Sequence, residues 1–101
     1  MIVILTTCAP KDASALLRSL LERRLVACGN VIPGVQSTYW WEGAIHTDEE
    51  CVVLMETTEA RRSAALKSLE ALHPYDVPKI LHWSPEANTS YKHWLAEVTQ
   101  G

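Results

Sequence analysis

Cys51-Val52-Val53-Leu54-Met55 is an unbroken run of five apolar residues. Successive side chains of a strand point to opposite faces, so such a run predicts a strand dry on both sides. Ile2-Val3-Ile4-Leu5 makes the same demand near the N-terminus. The intervening segments supply helices for only one face of a small sheet. The other face needs a different cover, and another copy of the same chain is the expected one. Self-association is thus expected before any chemistry is considered.

The 101 residues are expected to form one domain, 1–101, because two independent cores would not fit. An apolar share of 48% excludes disorder, and a net charge of −3 offers no broad basic surface for nucleic acid. Arg23-Arg24 and Arg61-Arg62 read as solvated helix faces. The start, Met1–Leu5, lacks the basic leader of a signal peptide, and no apolar stretch has the length of a membrane span. Three cysteines without paired spacing fit a reducing cytoplasm better than a disulfide framework.

Residues 2–7 predict a buried strand. Pro10 or Asp12 then opens a helix to about Leu25, with Ala13, Leu16, Leu17, Leu20, Leu21 and Leu25 as its apolar stripe. Residues 27–41 read as extended, interrupted at Pro33-Gly34, and Glu42-Gly43 reads as a tight hairpin turn. The returning strand runs from about Ile45 to Glu56. Thr58 caps a second helix striped by Ala65, Leu66, Leu69 and Leu72 and stopped by Pro74. Val77–Trp83 is the fourth strand. A last helix opens at Asn88 or Thr89 and places Tyr91, Trp94, Leu95 and Val98 on one side.

The order β-α-β-β-α-β-α predicts an α+β fold: a ferredoxin-like βαββαβ plait with an extra C-terminal helix and an antiparallel sheet ordered 4-1-3-2. In that topology strands two and four are edges, where Pro33 and Pro78 fall, and strands one and three are central, where the apolar runs fall. Tyr39 and Trp41 point to one side of the hairpin and Trp40 to the other. An intersubunit contact is expected there, the alternative being a half-exposed Trp packed on its own sheet.

Three motifs carry a family resemblance. Leu21-Glu22-Arg23-Arg24-Leu25-Val26-Ala27-Cys28, Asn30-Val31-Ile32-Pro33-Gly34-Val35-Gln36-Ser37 and Tyr39-Trp40-Trp41-Glu42-Gly43 together look like the core signature of the CutA divalent-cation tolerance family. Leu72-His73-Pro74-Tyr75-Asp76-Val77-Pro78-Lys79-Ile80 resembles its second signature, and Tyr91-Lys92-His93-Trp94-Leu95 its closing helix. The resemblance covers essentially the whole chain. It implies a cytoplasmic homotrimer similar in architecture to the PII signalling proteins, with a link to copper and other divalent metals.

Soft metals take thiolate and imidazole ligands. None of the three cysteines and four histidines has zinc-finger spacing. Topology puts Cys8, at the end of strand one, and His73, at the end of helix two, at the same end of the sheet, with Cys28 at the other. Cys8 and His73 are therefore the candidate ligands for copper or another divalent cation. The resemblance implies a Cys and two adjacent His before Pro-Tyr in some relatives, but Leu72 stands at one of these imidazole positions. A helix C-terminal histidine that bonds orphan carbonyls is the competing reading of His73.

Cys28 and Cys51 read as small buried hydrophobes. His46, His82 and His93 read as surface or interface residues, and Asp48-Glu49-Glu50 as a solvated turn. Tyr75 is expected at a subunit boundary, with a ligand pocket there as the alternative. Two readings of function follow, a trimeric copper-binding protein or a PII-like small-molecule module tied only indirectly to metals. A Cys8 nucleophile with a His73 base lacks a third orienting group and there is no Gly-rich phosphate loop, so no enzyme is expected.

Overall fold

The structure, a computed structural model, describes residues 1–100. Its elements are β1 (Ile2–Cys8), α1 (Pro10–Glu22), β2 (Cys28–Trp41), β3 (Ala44–Thr57), α2 (Glu59–Leu72), β4 (Ile80–Trp83) and α3 (Thr89–Val98). The strands form one antiparallel sheet ordered β2-β3-β1-β4, the order expected from the sequence read from its other edge. Both long apolar runs lie on the central strands.

Register sorts the side chains. Ile2, Ile4, Thr6 and Cys8 pair with Thr57, Met55, Val53 and Cys51, and all eight are buried. The apolar ones, Ile2, Ile4, Cys8, Cys51, Val53 and Met55, share one core with Ala13, Leu16 and Leu20 of α1 and Ala65 and Leu69 of α2. The opposite face carries Val3, Leu5, Val52 and Leu54, which are only half-buried. Leu81 and Trp83 of β4 pair with Leu5 and Val3 on that face and stand 50% and 42% exposed. α3 reaches this face at its Glu56 end, where the Tyr91 hydroxyl donates to Glu56 Oε1 at 2.9 Å. A single chain thus leaves much of one apolar sheet face open.

Several boundaries differ from the sequence reading. α1 ends at Glu22 rather than near Leu25, because Arg24 adopts a left-handed conformation with φ 56°. The Leu25 amide donates to Leu20 O at 3.1 Å and the Arg24 amide to Leu21 O at 3.0 Å, the paired bonds of a Schellman C-cap. Leu25 is then buried just past the helix. β4 starts at Ile80 rather than Val77, since Pro78 has no amide to give a ladder. β3 runs one residue beyond each end expected for it, from Ala44 to Thr57.

The arginine pairs are more than solvated faces. Arg24 donates to Val98 O at 2.9 Å and Arg61 to Thr99 O at 2.7 Å, so both hold the end of α3. Arg62 bonds Glu59 on its own helix and His82 Nδ1 on β4.

The β2–β3 hairpin is long, with its register shifted between Ile32 and Val35, where Pro33-Gly34 forms the expected bulge. Its turn, Glu42-Gly43, has φ of 50° and 79°, the two positive values a type I′ turn requires. Glycine meets that requirement freely. Glu42 meets it under strain.

Candidate functional site: the hairpin cleft and the end of the central strands

The C-terminal end of β1, the start of the apolar run of β3, and the segment after α2 converge. His73 is 7% exposed and packs against β1. Its Nδ1 accepts the Tyr75 amide at 3.2 Å. Its Nε2 lies 3.0 Å from both Thr6 Oγ1 and the Thr7 carbonyl oxygen. A carbonyl only accepts, so Nε2 carries the proton and Nδ1 offers the lone pair. His73 therefore bonds β1 rather than the orphan carbonyls of its own helix.

Cys8 follows Thr7 on β1 and is fully buried. Burial, reinforced by Cys51, Asp12 and Glu50, pushes its thiol up to about 11. Cys8 and His73 thus share one end of the sheet. In this arrangement the ring has both nitrogens engaged. Among the described residues no group of three or more His, Cys, Asp or Glu is placed to hold a metal ion. A divalent ion that wants four ligands does not fit the donors that a single chain presents.

Tyr75 lies beside His73, with ring centroids 4.8 Å apart, and donates its hydroxyl to Glu50 Oε2 at 2.5 Å. Burial and then the Glu50 bond raise the Tyr75 phenol well above its ordinary value. Glu50 itself is 7% exposed, which corrects its reading as part of a solvated turn. The signal was its spacing: Glu50 sits two residues before Val52 and four before Leu54, on their face. Asp48 is also engaged, accepting the Tyr39 hydroxyl. That bond, ahead of desolvation, raises the Tyr39 phenol too.

Between the hairpin and residues 74–79 lies an open cleft of about 800 Å³. Its lining includes Thr7, Glu50, Tyr75 and Lys79 together with Tyr39, Trp40 and Trp41. Tyr39, Trp41 and Tyr75 are partly exposed, and Trp40 is 72% exposed. All four aromatic residues singled out from the sequence therefore line one feature. Cys28 begins β2 at the far end, opposite Glu56. His46 stacks on Tyr39, and His93 is exposed on α3.

A four-stranded plait with two helices on one face, an open second face and a projecting hairpin defines a PII-like ferredoxin fold. The family described as CutA1 divalent ion tolerance protein matches residues 1–98. The divalent-cation tolerance protein CutA of Thermus thermophilus is 36% identical over 99 residues, covering 97% of this chain and 96% of the relative. Chloroplastic protein CutA 1 of Oryza sativa is also 36% identical, over 98% of this chain, although the chain spans only 57% of that relative. The solved PII-like protein CutA of Nostoc superposes with a TM-score of 0.93 at 25% identity, covering 99% of this chain and 98% of that one. The chain belongs to the CutA1 family. Among the described residues no helix is long and apolar enough to cross a membrane.

Proposed function

We propose that the chain acts in divalent-cation tolerance as one subunit of a cytoplasmic, non-catalytic homotrimer, a binding module whose ligand lies in the hairpin cleft at the boundary between copies. The observation that carries this reading is Glu50. A carboxylate 7% exposed, with the Tyr75 hydroxyl on one oxygen, lines a cleft walled by aromatic rings. Buried charge is costly unless it is partnered, and a ligand or a neighbouring subunit offering donors or a cation meets that need. The open apolar sheet face supports the assembly.

The test is a thermal-shift screen of the intact protein against metabolites, nucleotides and metal salts, with sedimentation in parallel. Stabilisation by a small molecule, lost in Tyr75→Phe, is the expected result. A stable monomer, or stabilisation by metal ions alone, overturns it.

A second reading is favoured by the shared position of Cys8 and His73, and has the protein binding copper or another divalent cation directly. His73 Nδ1 would release the Tyr75 amide, and a neighbouring subunit or solvent would complete the donor set. That reading requires Cys8→Ser and His73→Ala each to weaken metal affinity without dissociating the assembly.

A further inference from the structure

The charged residues that line the hairpin cleft are Glu50, Asp76 and Lys79, and its lining holds no arginine and no glycine. Lys79 is exposed, and the ion pairs among the described residues, Arg18–Glu22 and Arg62–Glu59, leave Glu50 without a cation. Tyr75 occupies Glu50 Oε2, and among the described residues no donor is found on Oε1. A carboxylate 7% exposed therefore meets the cleft with one oxygen still able to accept.

The two tyrosines add to this polarity. Tyr39 donates its only hydroxyl proton to Asp48, and Tyr75 donates its own to Glu50. Both phenol oxygens are left as acceptors, and donation to a carboxylate enriches the ring faces in electron density. Neighbouring acids feel the same negative field. Burial first for Cys8 and Tyr75, and the Asp48 bond first for Tyr39, make these protons harder to remove, and the Glu50 charge adds to all three.

These features select a ligand by charge. A phosphate or carboxylate would enter against the field, with a single lysine and no glycine-rich loop to receive it. A divalent ion lacks a donor set, since no group of three or more His, Cys, Asp or Glu is placed to hold one among the described residues. An organic cation gains both from the buried carboxylate and from the exposed aromatic faces.

We infer that the cleft recognises a small protonated amine, which donates an ammonium N–H to Glu50 Oε1 and lodges among the rings of Tyr39, Trp40, Trp41 and Tyr75. The inference rests on the cleft reading above and adds the chemical class of the occupant. A quaternary ammonium carries the charge but has no hydrogen for Oε1, so it is the discriminating comparison.

The test is tryptophan fluorescence and calorimetry on the intact protein at neutral pH with EDTA present. The probes are putrescine and ethanolamine, with tetramethylammonium, ATP and glucose as the quaternary, anionic and neutral comparisons. Saturable binding of at least one amine is expected, with each comparison weaker by about tenfold or more. Glu50→Gln keeps an acceptor for Tyr75 and should weaken the amine by about tenfold or more, whereas Lys79→Met should leave it unchanged or tighten it. The ranking of probes on the parent protein decides the matter even if a variant misfolds. No saturable amine binding, tetramethylammonium bound as tightly as the amines, or undiminished affinity in folded Glu50→Gln each overturns the assignment. ATP or glucose bound in place of the amines, and lost in Tyr75→Phe, overturns the amine while preserving the cleft. The cleft reading itself falls with a stable monomer or with stabilisation by metal ions alone, so the two ideas fail by different results.

Discussion

His73 Nε2 lies 3.0 Å from Thr6 Oγ1, and that same hydroxyl donates to the Lys79 carbonyl at 2.7 Å. One side chain on a central strand thus ties the end of α2 to the approach into β4. Thr6→Val preserves shape and removes both bonds, leaving the buried His73 ring and the part-buried Lys79 carbonyl without that hydroxyl. The expected loss is about 1–3 kcal/mol. It reads as a lower denaturant midpoint at fixed protein concentration with an unchanged slope. A midpoint equal to the parent's would show the network to be dispensable.

Leu81 tests the open sheet face. It pairs with Leu5 on the face opposite α1 and α2 and is half-exposed in the single chain. Leu81→Asp costs an isolated subunit little, since the carboxylate meets water there. Buried against another copy it would be an unpaired charge. The expected outcome is subunits that sediment singly and keep their helical circular dichroism. An undisturbed assembly would move the interface elsewhere.

Much of this fold was legible because its constraints are local. Pro33 and Pro78 cannot serve central strands, and the runs at Ile2–Leu5 and Cys51–Met55 belong nowhere else, so strand order followed. The end of α1 was not legible. A Schellman cap advertises itself by glycine, and here Arg24 takes the left-handed position while buried Leu25 and the Val98 carbonyl hold it in place. Glu50 was hidden by composition, because an acidic triplet suggests solvent although alternation puts its last member beside Val52. The pairing of Cys8 with Cys51 was invisible for another reason. Register between β1 and β3, forty-odd residues apart, is set by packing rather than by any turn.

Gly29 sits in β2 directly under α1. A Cβ there would stand 2.3 Å from Leu17 Cδ1, 2.9 Å from Cδ2 and 3.1 Å from Cγ. The whole isobutyl group has to move, and it packs against the core. Gly29→Ala should therefore destabilise by about 1–3 kcal/mol. Combined with Leu17→Ala, which vacates the space, the pair should cost less than the sum of the single changes. Additive costs in a double-mutant cycle would place the strain somewhere other than this contact.

Tyr91 gives the protein an alkaline limit. Burial, then the Glu56 bond, then the Glu56 charge and Cys28 raise its phenol above the ordinary value of 10.0. The unfolded chain therefore loses this proton first. Above about pH 10 the folded state holds more protons than the unfolded one, and stability falls as pH rises. The contribution is complete below that point and disappears as pH climbs through the folded value. Tyr91→Phe forfeits the hydrogen bond to Glu56 at neutral pH but has no proton to lose. Its stability should thus decline less steeply across about pH 9–11 than that of the parent. Tyr75 and Tyr39 are raised in the same direction, so a reduced slope remains in the variant. Urea titrations at stepped pH measure both slopes, and equal slopes would remove Tyr91 as a source of the alkaline limit.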